Sequence, residues 1–530
     1  MEGFLKVDTA LPRCRIVGGE TMGVLDWIVV GAYFLVMVWI GWWSRRRIKN
    51  ASDFFVAGGK IPWWLVGISH HMSGYSAAVF VGYAALAYTV GFAVYVWWAI
   101  SIAIACLLGA VWFAPRWPRL RKRLGIISPL EYLAVRYSVP VEQLLAWSGA
   151  LLKLFDIAAK WTASAILLNV FAGIPIVWGV LLVGGVTMFY STIGGIWADV
   201  LTDLGQFIIQ FVAALALAIA VMIRLDGLAT PFTMWSHLPE SHSNPFNGSL
   251  TVGFFLAYIV VTTLSYNGGT WNLAMRMISA EDGRQAKRSM WFSAGLYLVW
   301  PLVLFFPMWA APILLPGLAQ PDESYALMAT ELLPDGLVGL VLAGMFAHTM
   351  AMTSSDSNAI ASVVVRDIIP QFRKGKTFLP EKAELFFSRL ITFLFIASSM
   401  AIALTSDSFG GVLGLIILWF GALVGPVAVP MLFGMLPAFR RSGSAAALIS
   451  TAGGLIMFTL NQWVITDWVK ALGDNSQAWS VATPVLVSLV LFAGIGWIRP
   501  ENTPETDELI DSLCVDDTGV VATSVPTSEE

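Results

Sequence analysis

Long apolar runs separated by short polar segments dominate the chain. Each run is close to, or longer than, the roughly 20 apolar residues that a helix needs to cross a bilayer. The pattern therefore predicts an all-α integral membrane protein with about 13 transmembrane helices, which we number as spans 1 to 13. They cover residues 23–43, 61–89, 91–113, 141–171, 174–193, 198–223, 250–275, 288–313, 334–365, 384–404, 410–437, 443–463 and 479–498.

Spans 2 and 7 are interrupted by small and polar residues. Residues 70–74 read HHMSG in the middle of span 2, and residues 265–270 read SYNGGT in span 7. Unwound backbone is tolerated at membrane depth only where it lines a cavity enclosed by protein. Discontinuous helices five spans apart indicate inverted repeats at about 61–224 and 250–437, with a binding site between the breaks. The alternative is that the glycines only allow close helix packing.

The composition also indicates a membrane protein. The 530 residues are 57% hydrophobic and 12% charged, whereas soluble chains carry about 25 per cent charged residues. The formal net charge of −3 excludes a strongly basic protein that binds nucleic acid. Three cysteines, Cys14, Cys106 and Cys514, lie in separate segments and predict no disulfide framework.

The positions of the basic residues predict the orientation. Of 31 Lys and Arg residues, 24 lie in or beside the loops that follow odd-numbered spans or in the C-terminal tail, and five lie on the other side. Lys and Arg in short loops stay on the cytoplasmic side. We therefore expect an extracellular tail at 1–21, a transporter domain at 22–498 and a disordered cytoplasmic tail at 499–530, which carries nine acidic residues. The location is a plasma membrane or a bacterial inner membrane.

Span 4 contains charges where the bilayer is deepest. Lys153, Asp156 and Lys160 are spaced by three and four residues, so they lie on one face of a helix and Asp156 can pair with both lysines. A buried charge in a membrane helix needs a partner or a function. Two interpretations stay open: a self-neutralising structural cluster, or a place on the path of a solute or ion.

Three of the five histidines fall within spans: His70, His71 and His348. Neighbouring residues point about 100° apart on a helix, so His70 and His71 are poorly placed to chelate one metal ion. A membrane metalloenzyme that uses these histidines is an alternative function. A histidine in a transport pathway can also carry a proton near neutral pH. Span 9 contains six consecutive polar residues at 353–358, which predict a lined cavity or hydrogen bonds between helices.

Four further segments carry a family resemblance. Residues 194–206 read GGIWADVLTDLGQ, 53–59 read DFFVAGG, 128–137 read SPLEYLAVRY and 366–368 read RDI. From about residue 24 to 440 the chain resembles the solute:sodium symporter family. The resemblance implies the leucine-transporter fold, which is a five-helix unit repeated upside down, and solute transport driven by a sodium gradient.

The resemblance also implies a sodium site between the break in span 2 and span 9. The family's ligands correspond to the carbonyls of Ser69, Met72 and His348 and to the side chains at Ala351 and Met352, where two hydroxyls are missing. Sodium prefers oxygen ligands to a thioether, so proton coupling through His348 and uncoupled transport are alternatives. Nearby oxygens that could complete the site belong to Thr353, Ser354 and Asp203. No cofactor other than the ion is expected.

A solute site follows from the same resemblance. Tyr266 corresponds to a tyrosine that closes the site towards the cytoplasm, and the family's sugar-binding lysine is replaced by Tyr297. Aromatic groups replace the polar sugar contacts, which favours a less polar or aromatic-stacking solute over a galactose-like one. The candidate solute-binding residues are Tyr75, Ser76, Tyr95, Asp156, Thr263, Tyr266, Asn267, Trp271 and Tyr297.

Together these features predict a secondary active transporter with no enzymatic activity. It moves a small organic solute by alternating access and is coupled to a cation. The alternative is a membrane sensor of the same fold that signals through its cytoplasmic tail.

Overall fold

The computed structural model describes residues 22–373, 378–405 and 424–515. Within these ranges the secondary structure is helical, with two isolated β-bridges and no strand. The α-helices are α1 Val24–Ser44, α2 Ala51–Val56, α3 Trp63–Met72, α4 Ala84–Val90, α5 Ser101–Trp112, α6 Arg116–Leu124, α7 Glu131–Arg136, α8 Val139–Ala172, α9 Ile176–Arg224, α10 Thr230–Thr233, α11 Val252–Leu264, α12 Asn272–Ile278, α13 Gly283–Leu314, α14 Ser324–Leu332, α15 Leu337–Val363, α16 Glu381–Ala403, α17 Gly425–Phe433, α18 Ser444–Thr459, α19 Thr466–Ala471, α20 Ser476–Ile498 and α21 Pro504–Cys514.

Nine helical segments in the described ranges are long and apolar enough to cross a membrane, which confirms a multi-pass all-α membrane protein. One of them, α9, contains 49 residues, or about 74 Å at 1.5 Å per residue, more than twice the hydrocarbon thickness of a bilayer. It bends at Gly195, where φ is 48° and a Cβ atom would lie 2.5 Å from the Phe54 carbonyl oxygen. This bend separates the segments predicted as spans 5 and 6.

The thirteen-span count and the inverted repeat stay predictions. Part of span 11, predicted at 410–437, lies outside the described residues. The whole N-terminal tail at 1–21 also lies outside them. The division into these domains is likewise a prediction.

Both predicted interruptions are present. Helix α3 ends at Met72, and the chain re-enters a helix only through a π-helical turn at Val79–Tyr83 that leads into α4. Helix α11 runs into a π-helical turn at Ser265–Gly269, in which Gly268 has a φ of 122° that a residue with a side chain rarely adopts. Glycines and small polar residues at these points therefore end the regular helices inside the membrane.

Helix α15 is enclosed by its neighbours. It packs against α1, α8, α9 and α16, while α13 packs along α3 and α5. The pair α18 and α20 lies together at the edge and contacts α11 and α17. The break in span 2 contacts both α13 and α15, and the break in span 7 packs against α5 and α17.

The C-terminal tail corrects one expectation, because part of the segment predicted as disordered forms α21. Thr503 caps this helix by accepting a hydrogen bond from the backbone N–H of Thr506. Leu509, Ile510 and Leu513 are buried. Their spacing gives α21 one apolar face, which packs against the rest of the protein. The prediction of disorder relied on the number of acidic residues in the tail and did not consider this spacing.

Cysteine labelling tests the predicted orientation. With Cys14 and Cys514 replaced by serine, a cysteine at Ser241 should react in intact cells with a membrane-impermeant thiol reagent. A cysteine at Ser512 should react only after permeabilisation, because the basic-residue distribution places α21 in the cytoplasm. Reaction of both in intact cells would contradict the thirteen-span count.

Candidate solute and cation site

Five aromatic or imidazole side chains meet where the two breaks face each other. Ring centroids are 4.5 Å apart for His71 and Tyr297, 4.1 Å for Tyr75 and His348, and 5.6 Å for Tyr266 and Tyr297. We call these five residues the ring cluster. All five are buried, and they come from both discontinuous helices, α13 and α15. Such a crossing inside the membrane is where transporters of inverted-repeat architecture bind solute.

Hydrogen bonds tie the two breaks to each other. The Tyr266 hydroxyl donates to the Gly74 carbonyl at 2.5 Å, and His70 Nε2 lies 2.9 Å from the Tyr266 carbonyl oxygen. The amide of Asn272 donates to the Ser73 carbonyl at 3.2 Å. Backbone groups freed by one break are thus satisfied by residues of the other.

Several buried polar atoms in and beside the ring cluster have no partner of ordinary hydrogen-bond geometry in the described part of the chain. They include both ring nitrogens of His348, Nδ1 of His71, Oγ1 of Thr263 and Nε1 of Trp271. Most buried polar atoms in proteins are hydrogen-bonded, and those that are not require an explanation. Such atoms need a partner, which ordered water or a bound molecule can supply.

Three of the predicted solute-binding residues, Tyr75, Tyr266 and Tyr297, lie in the ring cluster, and Ser76 follows Tyr75 directly. Tyr95 instead donates to the Leu298 carbonyl at 2.7 Å. It is the first residue of a π-helical turn.

The side-chain amide of the predicted solute residue Asn267 donates to the Ala105 carbonyl at 3.0 Å, which joins the break in span 7 to α5. Its Oδ1 has no partner of ordinary geometry among the described residues, and its role in solute binding stays a prediction.

The predicted charge group in span 4 closes into a ring of four buried ions. Lys153 Nζ lies 3.4 Å from Asp156 and 2.6 Å from Asp356, and Lys160 Nζ lies 2.7 Å from Asp156 and 2.8 Å from Asp356. We call these residues the ion tetrad. Asp356, on α15, is the member that the sequence did not identify. Asp156 therefore lies in the ion tetrad, where both of its lysine partners also bind a second carboxylate.

A second set of charges lies between α3, α9 and α12. Arg276 Nη2 is 3.4 Å from Asp203 and 3.6 Å from Asp199, and the hydroxyl of Ser69 donates to Asp203. Both carboxylate oxygens of Asp199 and one of Asp203 have no hydrogen-bond partner of ordinary geometry among the described residues. Two carboxylates face one guanidinium, so the three side chains together carry one negative charge in excess. Sequence reasoning identified Asp203 alone.

The position of the missing hydroxyl pair is apolar. Ala351 is buried in contact with Met72, and Met352 is half-buried. The hydroxyls of Thr353 and Ser354 both donate to backbone carbonyls of their own helix, at 2.6 Å and 3.2 Å. The side chains at 351 and 352 consequently add no oxygen beside the break in span 2.

The described residues contain no group of three or more His, Cys, Asp and Glu side chains that could hold a metal ion. Both nitrogens of His70 are already in contact with oxygens, the Ser293 hydroxyl at 2.8 Å and the Tyr266 carbonyl at 2.9 Å. This geometry gives no support to the metalloenzyme alternative.

Comparisons with known proteins agree with this architecture. The sequence pattern of the sodium:solute symporter family matches residues 54–454. The sodium/sialic acid symporter NanT of Aliivibrio fischeri is 26% identical over 519 residues, which cover 92% of this chain and 97% of the relative. The human sodium/iodide cotransporter is 28% identical over 448 residues, covering 81% of this chain and 68% of the relative.

Solved structures show the same fold. The substrate-bound, outward-open structure of a sodium-coupled sialic acid symporter has a TM-score of 0.77 at 20% identity and covers 91% of this chain and 99% of the other. Mhp1, a nucleobase-cation-symport transporter in a closed conformation, has a TM-score of 0.53 at 13% identity, covering 87% and 98%.

Proposed function

Because the chain belongs to the sodium:solute symporter family, we propose that it carries a small organic solute across the plasma membrane by sodium-driven symport. Four of its relatives are named as sodium-coupled transporters of sialic acid, iodide, glucose or monocarboxylates. Family and fold indicate transport without covalent chemistry, and the family match gives no support to the sensor alternative. The partners are the solute, the cation and the lipid bilayer.

The ring cluster is the proposed solute site, and the observation that carries this proposal is that both helix breaks contribute to it. Flat rings at centroid distances of 4.1 to 5.6 Å suit a planar or apolar part of a solute. The three tyrosine hydroxyls already contact groups of the protein, whereas both ring nitrogens of His348 and Nδ1 of His71 have no partner of ordinary geometry among the described residues. An imidazole N–H donates a hydrogen bond, and no acidic side chain belongs to the cluster. We therefore propose a small carboxylate with an aromatic or alkyl group as the solute class.

Uptake into proteoliposomes tests this function. The purified protein is supplied with an inward sodium gradient and a panel of aromatic and alkyl carboxylates, each paired with its neutral amide. We expect sodium-stimulated uptake of at least one carboxylate and little uptake of its amide. Uptake of no panel member, or a preference for amides and neutral sugars, would contradict the proposed solute class.

The proposed cation site lies at Asp199 and Asp203, beside Arg276. Carboxylate oxygens are hard ligands that suit an alkali cation, and neither oxygen of Asp199 has a hydrogen bond of ordinary geometry among the described residues. One bound sodium ion would neutralise the excess negative charge of the two aspartates and the arginine, which is otherwise costly in a buried site. A single site predicts a hyperbolic dependence of uptake on sodium concentration.

Restoring the two missing hydroxyls should create a second sodium site. In the Ala351→Ser/Met352→Ser variant, two side-chain oxygens would join the carbonyls at the break of span 2. Sodium dependence should then become sigmoidal, with a Hill coefficient above that of the wild type, because this coefficient can rise with the number of sites. The measurement is initial uptake rate against sodium concentration. The control is Ala361→Ser, ten residues further along the chain, and an unchanged curve in the double variant would place positions 351 and 352 away from any cation.

Tyr266 is the proposed gate, since its hydroxyl bonds the opposite break. Tyr266→Phe removes the hydrogen bond to Gly74 and keeps the ring, so solute exchange should accelerate about fivefold, the effect of losing roughly 1 kcal/mol. Efflux from loaded proteoliposomes measures it, with Tyr258→Phe on the same helix as the control. Wild-type efflux in both Tyr266→Phe and Tyr266→Ala would remove the gating role.

A further inference from the structure

The C-terminal helix α21 covers the basic helix α6. Arg119 Nη1 donates to the Leu513 carbonyl at 2.7 Å, and Arg123 Nη2 is 2.6 Å from Glu508. The Arg123–Glu508 pair is exposed, and exposed ion pairs contribute little stability. The apolar face of α21, with Leu509, Ile510 and Leu513 buried, therefore accounts for most of the docking, and the charges set its orientation.

The opposite side of α6 contacts the break in span 7. Trp117 is fully buried, and its Nε1 donates to the Asn267 carbonyl at 3.0 Å. A Cβ atom on Gly268 would lie 2.7 Å from the Trp117 ring, so the ring and the broken backbone are in direct contact. Arg121 also donates to the carbonyls of Ala280 and Glu281 at 2.9 Å and 3.0 Å. Helix α6 thus contacts both the break and the segment that follows α12.

We propose that α21 acts as a brace that holds α6 in place. Trp117, on α6, is then a positioning residue for the gate at Tyr266. With α21 docked, the break at Ser265–Gly269 keeps its closed geometry; with α21 released, α6 moves and the tail side of the gate opens more often. This inference rests on the proposed gating function of Tyr266. It assigns the tail a regulatory role, because any partner that binds the apolar face of α21 competes with the closed gate.

Cys106 is a native probe for this opening. It is fully buried on α5 and directly follows Ala105, whose carbonyl accepts a hydrogen bond from the side chain of Asn267. It lies six residues before Trp112, which is half-exposed at the end of α5, or about 9 Å along the helix. An opening of the break towards α6 should therefore expose its thiol.

The experiment measures the labelling rate of Cys106 in membrane vesicles whose tail side faces a small maleimide, in a Cys14→Ser/Cys514→Ser background. Leu513→Asp releases the apolar face of α21, and Trp117→Phe removes the bond to Asn267 while keeping a ring. Trp117→Phe should label about fivefold faster than the parent, the shift expected from the loss of one neutral hydrogen bond. Leu513→Asp should label at least as fast, because it releases the helix on which Trp117 lies. The matched controls Ser512→Asp, half-exposed on α21, and Trp112→Phe, half-exposed on α5, should label at the parent rate.

Deletion of residues 500–530 provides a second variant and should match Leu513→Asp. Parent-like labelling in the deletion, in Leu513→Asp or in Trp117→Phe would overturn the brace, and so would equal acceleration in the controls. A fall in unfolding temperature that accompanies faster labelling in every variant would equally count against it. Labelling requires no solute, so a wild type that transports nothing in the panel would contradict the proposed solute class and leave the labelling result interpretable by itself.

Discussion

Replacing Asp356 with alanine should prevent most of the protein from reaching a stable folded state. The variant would leave Lys153 and Lys160 buried with Asp156 as the one remaining carboxylate of the ion tetrad. Removing one member of a buried ion cluster costs about 3–5 kcal/mol, because the remaining charge is neither hydrated nor paired. We therefore expect a several-fold lower yield of monodisperse protein and a lower unfolding temperature in detergent.

A double variant controls for the loss of volume and contact. In Lys153→Met/Asp356→Leu the cluster loses one positive and one negative charge, and the Lys160–Asp156 pair at 2.7 Å is left intact. Replacing a buried ion pair by apolar residues of similar size is often neutral or stabilising. The double variant should therefore be more stable than Asp356→Ala. An Asp356→Ala protein as stable as the wild type, or a double variant no better than the single one, would show that the tetrad is not held by charge balance.

Replacing Asp199 with asparagine should have the largest effect on sodium dependence. Asparagine keeps the side-chain volume and removes the negative charge that we propose to bind the cation. The half-saturating sodium concentration should rise roughly 10- to 100-fold, which corresponds to the 1.5–3 kcal/mol of an interaction with a charged group. Initial uptake rates measured against sodium concentration give this value.

An aspartate-to-asparagine substitution outside the membrane segments serves as the control for Asp199→Asn. Asp226 follows α9 and accepts a hydrogen bond from Thr233 at an exposed position, so Asp226→Asn should keep the wild-type sodium dependence. A wild-type response in Asp199→Asn would move the cation away from this carboxylate. Solute-induced thermal stabilisation at saturating sodium distinguishes a loss of sodium affinity from a loss of folding in Asp199→Asn. A folded variant should still be stabilised by solute.

The sequence predicted the features that depend on local chemistry. Glycines and small polar residues in the middle of apolar runs identified both breaks, because those residue types tolerate unwound backbone. The offsets among Lys153, Asp156 and Lys160 predicted a shared helical face for the same local reason. Tyr75, Tyr266 and Tyr297 were found through the family resemblance and through their place beside the breaks.

The contacts between distant segments were not predictable from local patterns. Asp356 belonged to the polar run at 353–358, but its pairing with lysines about 200 positions earlier depends on how α8 packs against α15. Asp199 lay within a recognised motif, but its contact with Arg276 of α12 is visible only in the folded structure. Helix α21 was hidden because its acidic residues suggested a solvated tail, although Leu509, Ile510 and Leu513 already had helical spacing.

The central claim is that a sodium gradient drives solute uptake through a site that contains Asp199. The most direct test is the initial rate of uptake into proteoliposomes against external sodium, at fixed pH and zero membrane potential, in the wild type, His348→Ala and Asp199→Asn. The account predicts saturable sodium stimulation in the wild type and a large rise of the half-saturating sodium concentration in Asp199→Asn. His348→Ala should lower solute uptake, because His348 belongs to the ring cluster, but should leave the half-saturating sodium concentration unchanged. Uptake that ignores sodium and follows a pH gradient in the wild type would contradict the account.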